Sequence, residues 1–294
     1  IVLMVVVGGI TRLTHSELSI SDWRPITGFL PPLSEEEWSN VFDEYKKYPE
    51  YNKLNLNMTI LQYKTIYYWE YFHRLLGRII GLLFLIPFIY FYYRNFLDSL
   101  LIKKLLVLFI LGAIQGVMGW YMVSSGLVNN PYISHYRLAA HLIIAFIIFA
   151  YIYWIKLSLT NTNEIKVVDF KYFNKLINII ICLFFIQITY GAFTAGLRTG
   201  QFWNTFPLIE GRIIPEGLLS FKPTYLNFLE NDKAIQFIHR YLGLLLMSLI
   251  YFLSFKMKDI NSNFYLKSRN LVAVVTCQVF LGIIALISKV PIVL

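Results

Sequence analysis

The sequence predicts an all-α polytopic membrane protein made of two pseudo-repeated four-helix bundles. Three observations carry that prediction. The chain is 57% hydrophobic and 15% charged, with a mean hydropathy of +0.58, a mixture that suits a bilayer rather than water. Its apolar residues gather into runs of roughly 20, the length that crosses about 30 Å of hydrocarbon. Finally, Glu70-Tyr71-Phe72-His73-Arg74-Leu75-Leu76-Gly77 and Gln236-Phe237-Ile238-His239-Arg240-Tyr241-Leu242-Gly243 share one spacing on two separate runs, the mark of an internal repeat.

The first apolar run, Ile1 to Ile10, is half a span in length. A polar stretch rich in Pro, Trp, Tyr and acidic residues follows and is read as a large outer loop, 11–65. Within it, Ser34-Glu35-Glu36-Glu37 places a cap residue three positions before a glutamate, so a short amphipathic helix starts there. Apolar spans are predicted at 67–93, 100–123, 135–158, 172–196, 233–256 and 268–288. With the initial run they make about seven helices. The closing Val290-Pro291-Ile292-Val293-Leu294 resembles the opening of another. The chain therefore reads as a piece of an eight-helix protein, with an N-terminal bundle over 1–160 and a C-terminal bundle over 172–294 that lacks its last helix.

Charge orients these spans. Arg94, Lys103 and Lys104, then Lys156, Lys166, Lys171 and Lys175, then Lys256, Lys258, Lys267 and Arg269 cluster in three short connections, which places those connections on the cytoplasmic or matrix side. The net charge of +9 is thus spent on topology, and the scatter of cations over short loops speaks against nucleic acid as a partner. Cys182 and Cys277 both lie inside apolar runs, where a thiol acts as a small hydrophobe.

Ionisable groups inside spans need a partner or a task, because each is disfavoured by about 2.5–3.5 kcal/mol at a helix centre. His73, His141 and His239 each stand a few residues inside the outer boundary of a predicted span, at roughly the same depth. Imidazoles projecting from facing helices at one depth are the donors that hold haem iron in a helical bundle. The spacing pairs His73 with His141 and leaves His239 without a mate, the fourth histidine being expected beyond residue 294. His15 and His135, in or beside loops, read as interface residues. Arg74 and Arg240 adjoin their histidines, Arg137 lies one turn outward of His141, and Arg78 lies one turn deeper than Arg74. Guanidinium groups so placed can grip haem propionates bidentately. Glu70 lies on the face of His73, whereas its counterpart Gln236 is neutral. A carboxylate there can pair with Arg74 at i, i+4 or move protons beside a metal. Gln115-x-x-x-Gly119, Gln187-x-x-x-Gly191 and Gln278-x-x-x-Gly282 recur on three spans and read as helix-packing elements.

Several segments resemble the haem A synthase family. They are Gly8-Gly9-Ile10-Thr11-Arg12-Leu13-Thr14, Leu18-Ser19-Ile20-Ser21-Asp22-Trp23-Arg24-Pro25, Pro31-Pro32-Leu33, Trp69 to Arg78, Tyr136 to Leu142 and Trp203-Asn204-Thr205-Phe206-Pro207-Leu208. The resemblance runs the length of the chain. It implies an N-terminal bundle that receives haem O, a C-terminal bundle that holds a haem b cofactor, and an oxidoreductase that converts the C8 methyl group of haem O to a formyl group by successive hydroxylations and loss of water. By position it implies that His73 and His141 flank the substrate, His239 ligates the cofactor and Glu70 is the catalytic carboxylate. Haem O synthase and an unidentified electron donor are the partners it implies, with haem A supplied to terminal oxidases. Two departures stand out. The family's Ser-Gly-Leu-Ser element reads Ser16-Glu17-Leu18-Ser19, and the outer loops carry no cysteine pair. The second departure resembles the proteobacterial and mitochondrial branch. The abundance of Lys, Ile and Asn points to a bacterial inner membrane, with the mitochondrial inner membrane as the alternative.

Two other classes compete. A b-type cytochrome that only transfers electrons would use the same bundle and histidines without needing Glu70. A solute transporter would need helices broken at mid-membrane, whereas Pro87 is the lone mid-span proline.

Overall fold

The computed structural model describes residues 1–22, 28–128, 130–160, 171–258 and 262–289. Trp23, Arg24 and Pro25 of the motif, Lys166 and the apolar tail 290–294 lie outside the described residues. The helices are α1 (Val2–Leu13), α2 (Glu35–Tyr45), α3 (Pro49–Leu54), α4 (Ile60–Tyr93), α5 (Ser99–Ser124), α6 (His135–Thr160), α7 (Lys171–Gly196), α8 (Thr199–Phe202), α9 (Asp232–Met257) and α10 (Ser262–Ile287), with a 3-10 turn at Thr224–Phe228. Among the described residues there is no strand, only an isolated bridge between Ile209 and Arg212. Six helices, α4 to α7, α9 and α10, are long and apolar enough to cross a bilayer. Large apolar side chains such as Leu83, Phe255 and Val274 stand exposed on them, the surface that lipid rather than water solvates. The chain is an all-α polytopic membrane protein. Cys182 and Cys277 are exposed on these helices as free thiols.

The predicted spans match the helices closely except at the first connection and at the start of the last span, predicted at 268, where α10 begins at Ser262. The polar stretch expected over 11–65 is shorter, because α1 runs to Leu13 and α4 starts at Ile60. The early start of α4 has a local cause and a tertiary one. Thr59 and Gln62 form a reciprocal capping box, and the first turns of α4 then serve as a platform for α2. At 34 residues, α4 is about 51 Å long, well beyond a hydrocarbon core of about 30 Å, so part of it projects from the bilayer. The α2 helix starts where the sequence places it, with Ser34 and Glu37 in a capping box and an acidic first turn. Its buried face is Trp38, Phe42 and Tyr45, which meets Tyr63, Tyr67 and Tyr71 of α4 in one aromatic cluster. Ring centroids are 5.0 Å apart for Trp38 and Tyr67 and 4.9 Å for Phe42 and Tyr63. The Tyr63 hydroxyl also donates to the Ser19 and Val41 carbonyls, at 3.0 and 3.2 Å, and Tyr71 donates to the Phe29 carbonyl at 2.6 Å. Each such aromatic pair adds about 0.5–1.5 kcal/mol beyond burial, enough in sum to fix α2 on the membrane helix.

The chain forms two compact units, Ile1–Thr160 and Asn161–Leu294. In the first, α1 packs on α4, α4 on α5, and α5 on α6; in the second, α9 lies between α7 and α10. A shared local design appears in both. In α1, Thr11 donates its hydroxyl to the Gly8 carbonyl at 2.8 Å, and the chain turns out of the helix through His15 at φ 52°. In α7, Thr194 donates to the Gly191 carbonyl at 2.8 Å, and the exit is through Arg198 at φ 56°. The offsets from glycine to threonine and to the left-handed residue are identical, so the repeat extends into a helix pair where the sequence shows little likeness.

Candidate functional site

Each of the three span histidines lies against a glycine of a neighbouring helix. A Cβ built on Gly8 of α1 would stand 3.1 Å from His73 Nε2, one on Gly119 of α5 would stand 3.2 Å from His141 Cε1, and one on Gly191 of α7 would stand 3.2 Å from His239 Cε1. Contacts this close are tighter than ordinary side-chain packing, so each ring occupies space that only a glycine leaves open. His73 stands about three and a half turns into α4, and His141 and His239 stand about two turns into α6 and α9. His73 and His141 both belong to the first unit.

The glutamines are differently disposed. Gln115 Nε2 donates to His141 Nε2 at 3.2 Å. Gln187 Nε2 donates instead to the backbone carbonyl of His239 at 3.1 Å, with its amide seated against Gly243. His141 Nδ1, His239 Nδ1, Gln115 Oε1 and Gln187 Oε1 are buried without a hydrogen-bond partner. Buried polar atoms are nearly always paired, so these orphans mark places where a further group belongs.

Glu70 is buried at 4% exposure and accepts four hydrogen bonds. Arg74 Nε and Nη2 reach Oε1 at 2.9 and 2.5 Å, and Ser19 Oγ and Ile20 N each reach Oε2 at 2.7 Å. Arg74 also donates to the Ile20 and Asp22 carbonyls, at 2.7 and 3.2 Å. The ion pair foreseen in the sequence is therefore present, and it anchors a segment some fifty positions away. That segment is tightly held, with Ser16, Leu18 and Ser19 all buried. Leu18 fills the space beside Gly126, where an added Cβ would come within 2.7 Å of it. Glu17, the departure in this element, forms an ion pair with Arg12.

The matching positions of the second unit carry neutral partners. Thr199 Oγ1 donates to Gln236 Oε1 at 2.9 Å, both residues buried. Arg240, facing no carboxylate among the described residues, gives Nη1 to the Pro207 carbonyl at 3.0 Å and Nη2 to the Trp203 carbonyl at 3.4 Å, while its Nε is buried without a partner. The Trp203 to Leu208 motif thus serves as a carbonyl cradle for Arg240. Arg137 donates to the Tyr121 carbonyl at 2.6 Å and to Ser124 Oγ at 3.1 Å, with its guanidinium 3.7 Å from the Tyr121 ring centre. Arg78 lies 5.5 Å from the Phe29 ring centre. His15 is exposed, whereas His135 is buried, its ring centre 4.0 Å from that of Tyr136.

Sequence reading missed Gly8, Ser19, Ile20 and Thr199 as neighbours of the candidate residues, and it treated Gln115, Gly119 and Gly191 as helix packing alone. The equal offsets from Gly8 to Thr11 and from Gly191 to Thr194 were the available signal. Among the described residues no three His, Cys, Asp or Glu side chains gather to hold a bare metal ion. Buried imidazoles with unpartnered nitrogens, set against surfaces that lack a Cβ, fit the axial donors of a flat macrocycle that brings its own equatorial ligands.

Comparison with known proteins places the chain. Residues 1–294 match the family model described as cytochrome oxidase assembly protein. The chain is 45% identical to a protein named heme A synthase from Nitrosospira multiformis, over 99% of this chain and 83% of that one. It is 44% identical to the heme A synthase of Ehrlichia canis, over 100% and 83% of the two chains, and 43% identical to that of Flavobacterium johnsoniae, over 99% and 87%. No solved structure matches the chain significantly. With its whole length covered by that model and by relatives of such identity, this chain belongs to the cytochrome oxidase assembly protein family.

Proposed function

We propose that this protein is a haem A synthase, an oxidoreductase of a bacterial inner membrane that oxidises the C8 methyl group of haem O to a formyl group. What carries the reading is the near full-length similarity to proteins of that name. The asymmetry between Glu70 and Gln236 at matched places in two otherwise similar units supports it, because an enzyme with one reacting haem and one resident haem needs a carboxylate at only one of them.

In this reading His73 and His141 bracket the substrate haem O in the N-terminal unit, and His239, with Arg240 beside it, holds haem b in the C-terminal unit. Haem b, when bound, supplies a one-electron redox centre. Arg74, Arg78 and Arg137 offer guanidinium groups to the substrate's propionates. Arg74 is also committed to Glu70 and two carbonyls, and Arg137 to the Tyr121 carbonyl and Ser124. Glu70 is one turn from His73 and is held by Arg74 Nε and Nη2, Ser19 Oγ and Ile20 N, an arrangement that fixes its oxygens in place. From there it is placed to hold a proton beside the reacting C8 substituent, and its negative charge would stabilise positive charge developing there. The packed segment Ser16–Ile20 closes this side of the unit to water.

The test is expression of the protein in cells that make haem O but no haem A, followed by extraction and chromatography of haems. Haem A is expected with the wild type and at least tenfold less with Glu70→Gln. Bound haem b without haem A from either protein would leave an electron-transferring b-type cytochrome.

A further inference from the structure

The two glutamines that stand nearest the candidate ligands do different things. Gln115 spends its amide N–H on the ring of His141, at Nε2, which is the nitrogen an iron would take. Gln187 spends its amide N–H on the main chain of His239 and leaves the ring alone. Both amide oxygens, and Nδ1 of both rings, are buried and unpartnered. The Gln115–His141 pair therefore makes one hydrogen bond while leaving two polar atoms unsatisfied, so it is a weak closed state rather than a stable network.

The geometry allows no easy compromise. Gly119, one turn from Gln115 on the same helix, lets the ring approach α5 so closely that a Cβ would stand 3.2 Å from Cε1. An Nε2 lone pair that accepts from Gln115 is the same lone pair that would bind iron, and it serves one partner at a time. We propose that Gln115 is a positioning residue that competes with haem iron for His141 and so eases exchange of the haem held in the N-terminal unit. The inference rests on the assignment of the N-terminal unit as the substrate side. It adds to that assignment a physical reason for release: a product formed at His141 leaves more readily when a side chain in hydrogen-bond contact takes over its ligand.

The difference between these two glutamines is one of chemistry, not of motif: both precede a glycine by four residues, yet Gln115 bonds a ring and Gln187 a backbone carbonyl. Replacing the amide by a hydrocarbon of similar size removes the competitor while keeping the packing.

The experiment uses purified full-length protein loaded with haem and mixed with excess apomyoglobin, following haem loss by absorbance. Wild type should show a fast phase and a slow phase, assigned with His141→Ala and His239→Ala. Gln115→Leu and Gln115→Met should slow the fast phase roughly three- to tenfold, the range that loss of one competing hydrogen bond produces, and should leave the slow phase unchanged. Protein bearing Gln115→Leu should also purify with more haem O or haem A bound, and its kcat should fall with little rise in KM, as slowed release requires. An unchanged or faster fast phase in both Gln115 variants overturns the proposal, as does a fast phase that His141→Ala leaves intact. Should Gln115→Leu fail to fold, shown by loss of the slow-phase haem as well, the fast phase of Gln115→Met alone upholds or overturns the proposal. Haem extracts from the same cells report separately whether haem A is made, so failure of the synthase reading is distinguishable from failure of this one.

Discussion

His73 and His239 occupy the same place in two units, each in a space left by a glycine that a threonine hydroxyl bonds three residues on. What surrounds them differs by one polar group. Beside His73, Glu70 draws Arg74, Ser19 and Ile20 into a charged knot. Beside His239, Gln236 takes only the Thr199 hydroxyl, and Arg240 turns away to carbonyls of the Trp203 to Leu208 motif. The comparison teaches that ligand geometry and local charge are separable here. A duplicated helix pair supplies the first, and a single oxygen-for-nitrogen exchange in one side chain sets the second.

Exchanging those two side chains is the strongest way to break the comparison. Glu70→Gln leaves Arg74 without its anionic partner in a buried setting, and stability of the N-terminal unit should fall by about 1–3 kcal/mol, read as a lower thermal midpoint in detergent. Gln236→Glu should do little harm, within about 1 kcal/mol, because the idle Nε of Arg240 gains a charged acceptor. It should also lower the reduction potential of haem held at His239, since an added negative charge favours the oxidised iron. Equal destabilisation by the two substitutions would show that the units are not built as argued.

A smaller effect sharpens the likeness of the units. Gly8→Ala and Gly191→Ala each place a methyl group 3.1–3.2 Å from an imidazole. Overpacking of about 1–3 kcal/mol there outweighs the gain in helix propensity of about 1 kcal/mol. Both variants should therefore lose stability to a similar extent and shift the absorption band of bound haem. Gly9→Ala, with nothing within 4 Å of its added Cβ, should be neutral or stabilising. Thermal melts and visible spectra of the three variants decide the matter.

The architecture was largely legible because the bilayer imposes a simple rule. Runs of apolar residues with cations at three connections yield six spans, and the structure moves most of their ends by only one or two residues. The largest errors fell where packing between distant segments decides the outcome. Hydropathy starts the second span at 67, yet the helix begins at Ile60 because Tyr63 is needed under Phe42 and Tyr45. The histidines were legible as intramembrane ionisable residues, and Glu70 as a carboxylate beside one of them. The partnership of Glu70 with Ser19 and Ile20 was not, since no local pattern reports a bond across fifty positions. Nor could the sequence separate Gln115 from Gln187: the two stand in one motif and differ only in which acceptor the fold presents.

The smallest expected effect concerns the first connection. Glu37 accepts from the Leu33 and Ser34 amides, at 2.6 and 3.3 Å, and these bonds hold its carboxyl below the ordinary carboxylate range, the Leu33 amide most of all. A carboxyl lowered in the folded state adds stability at pH values above its unfolded value near about 4.3, and that contribution fades as pH falls through the lower folded value. Amide hydrogen exchange in α2 should consequently quicken, once corrected for intrinsic rates, as the pH is taken below about 4.3, and Glu37→Gln should abolish that pH dependence.

The contact between Leu18 and Gly126 has a consequence for how such sequences can drift. Leu18 belongs to the segment that Glu70 tethers, and Gly126 follows the last turn of α5; a Cβ at 126 would clash with Leu18 at 2.7 Å, so the missing side chain is what lets these two connections, remote in the chain, lie together. A side chain at 126 is tolerable only with a smaller residue at 18, and a smaller residue at 18 loosens the segment that steadies the carboxylate. Variation at these two positions is therefore expected to be correlated, since a chain that relaxes one without revising the other loosens the fixed surroundings of Glu70.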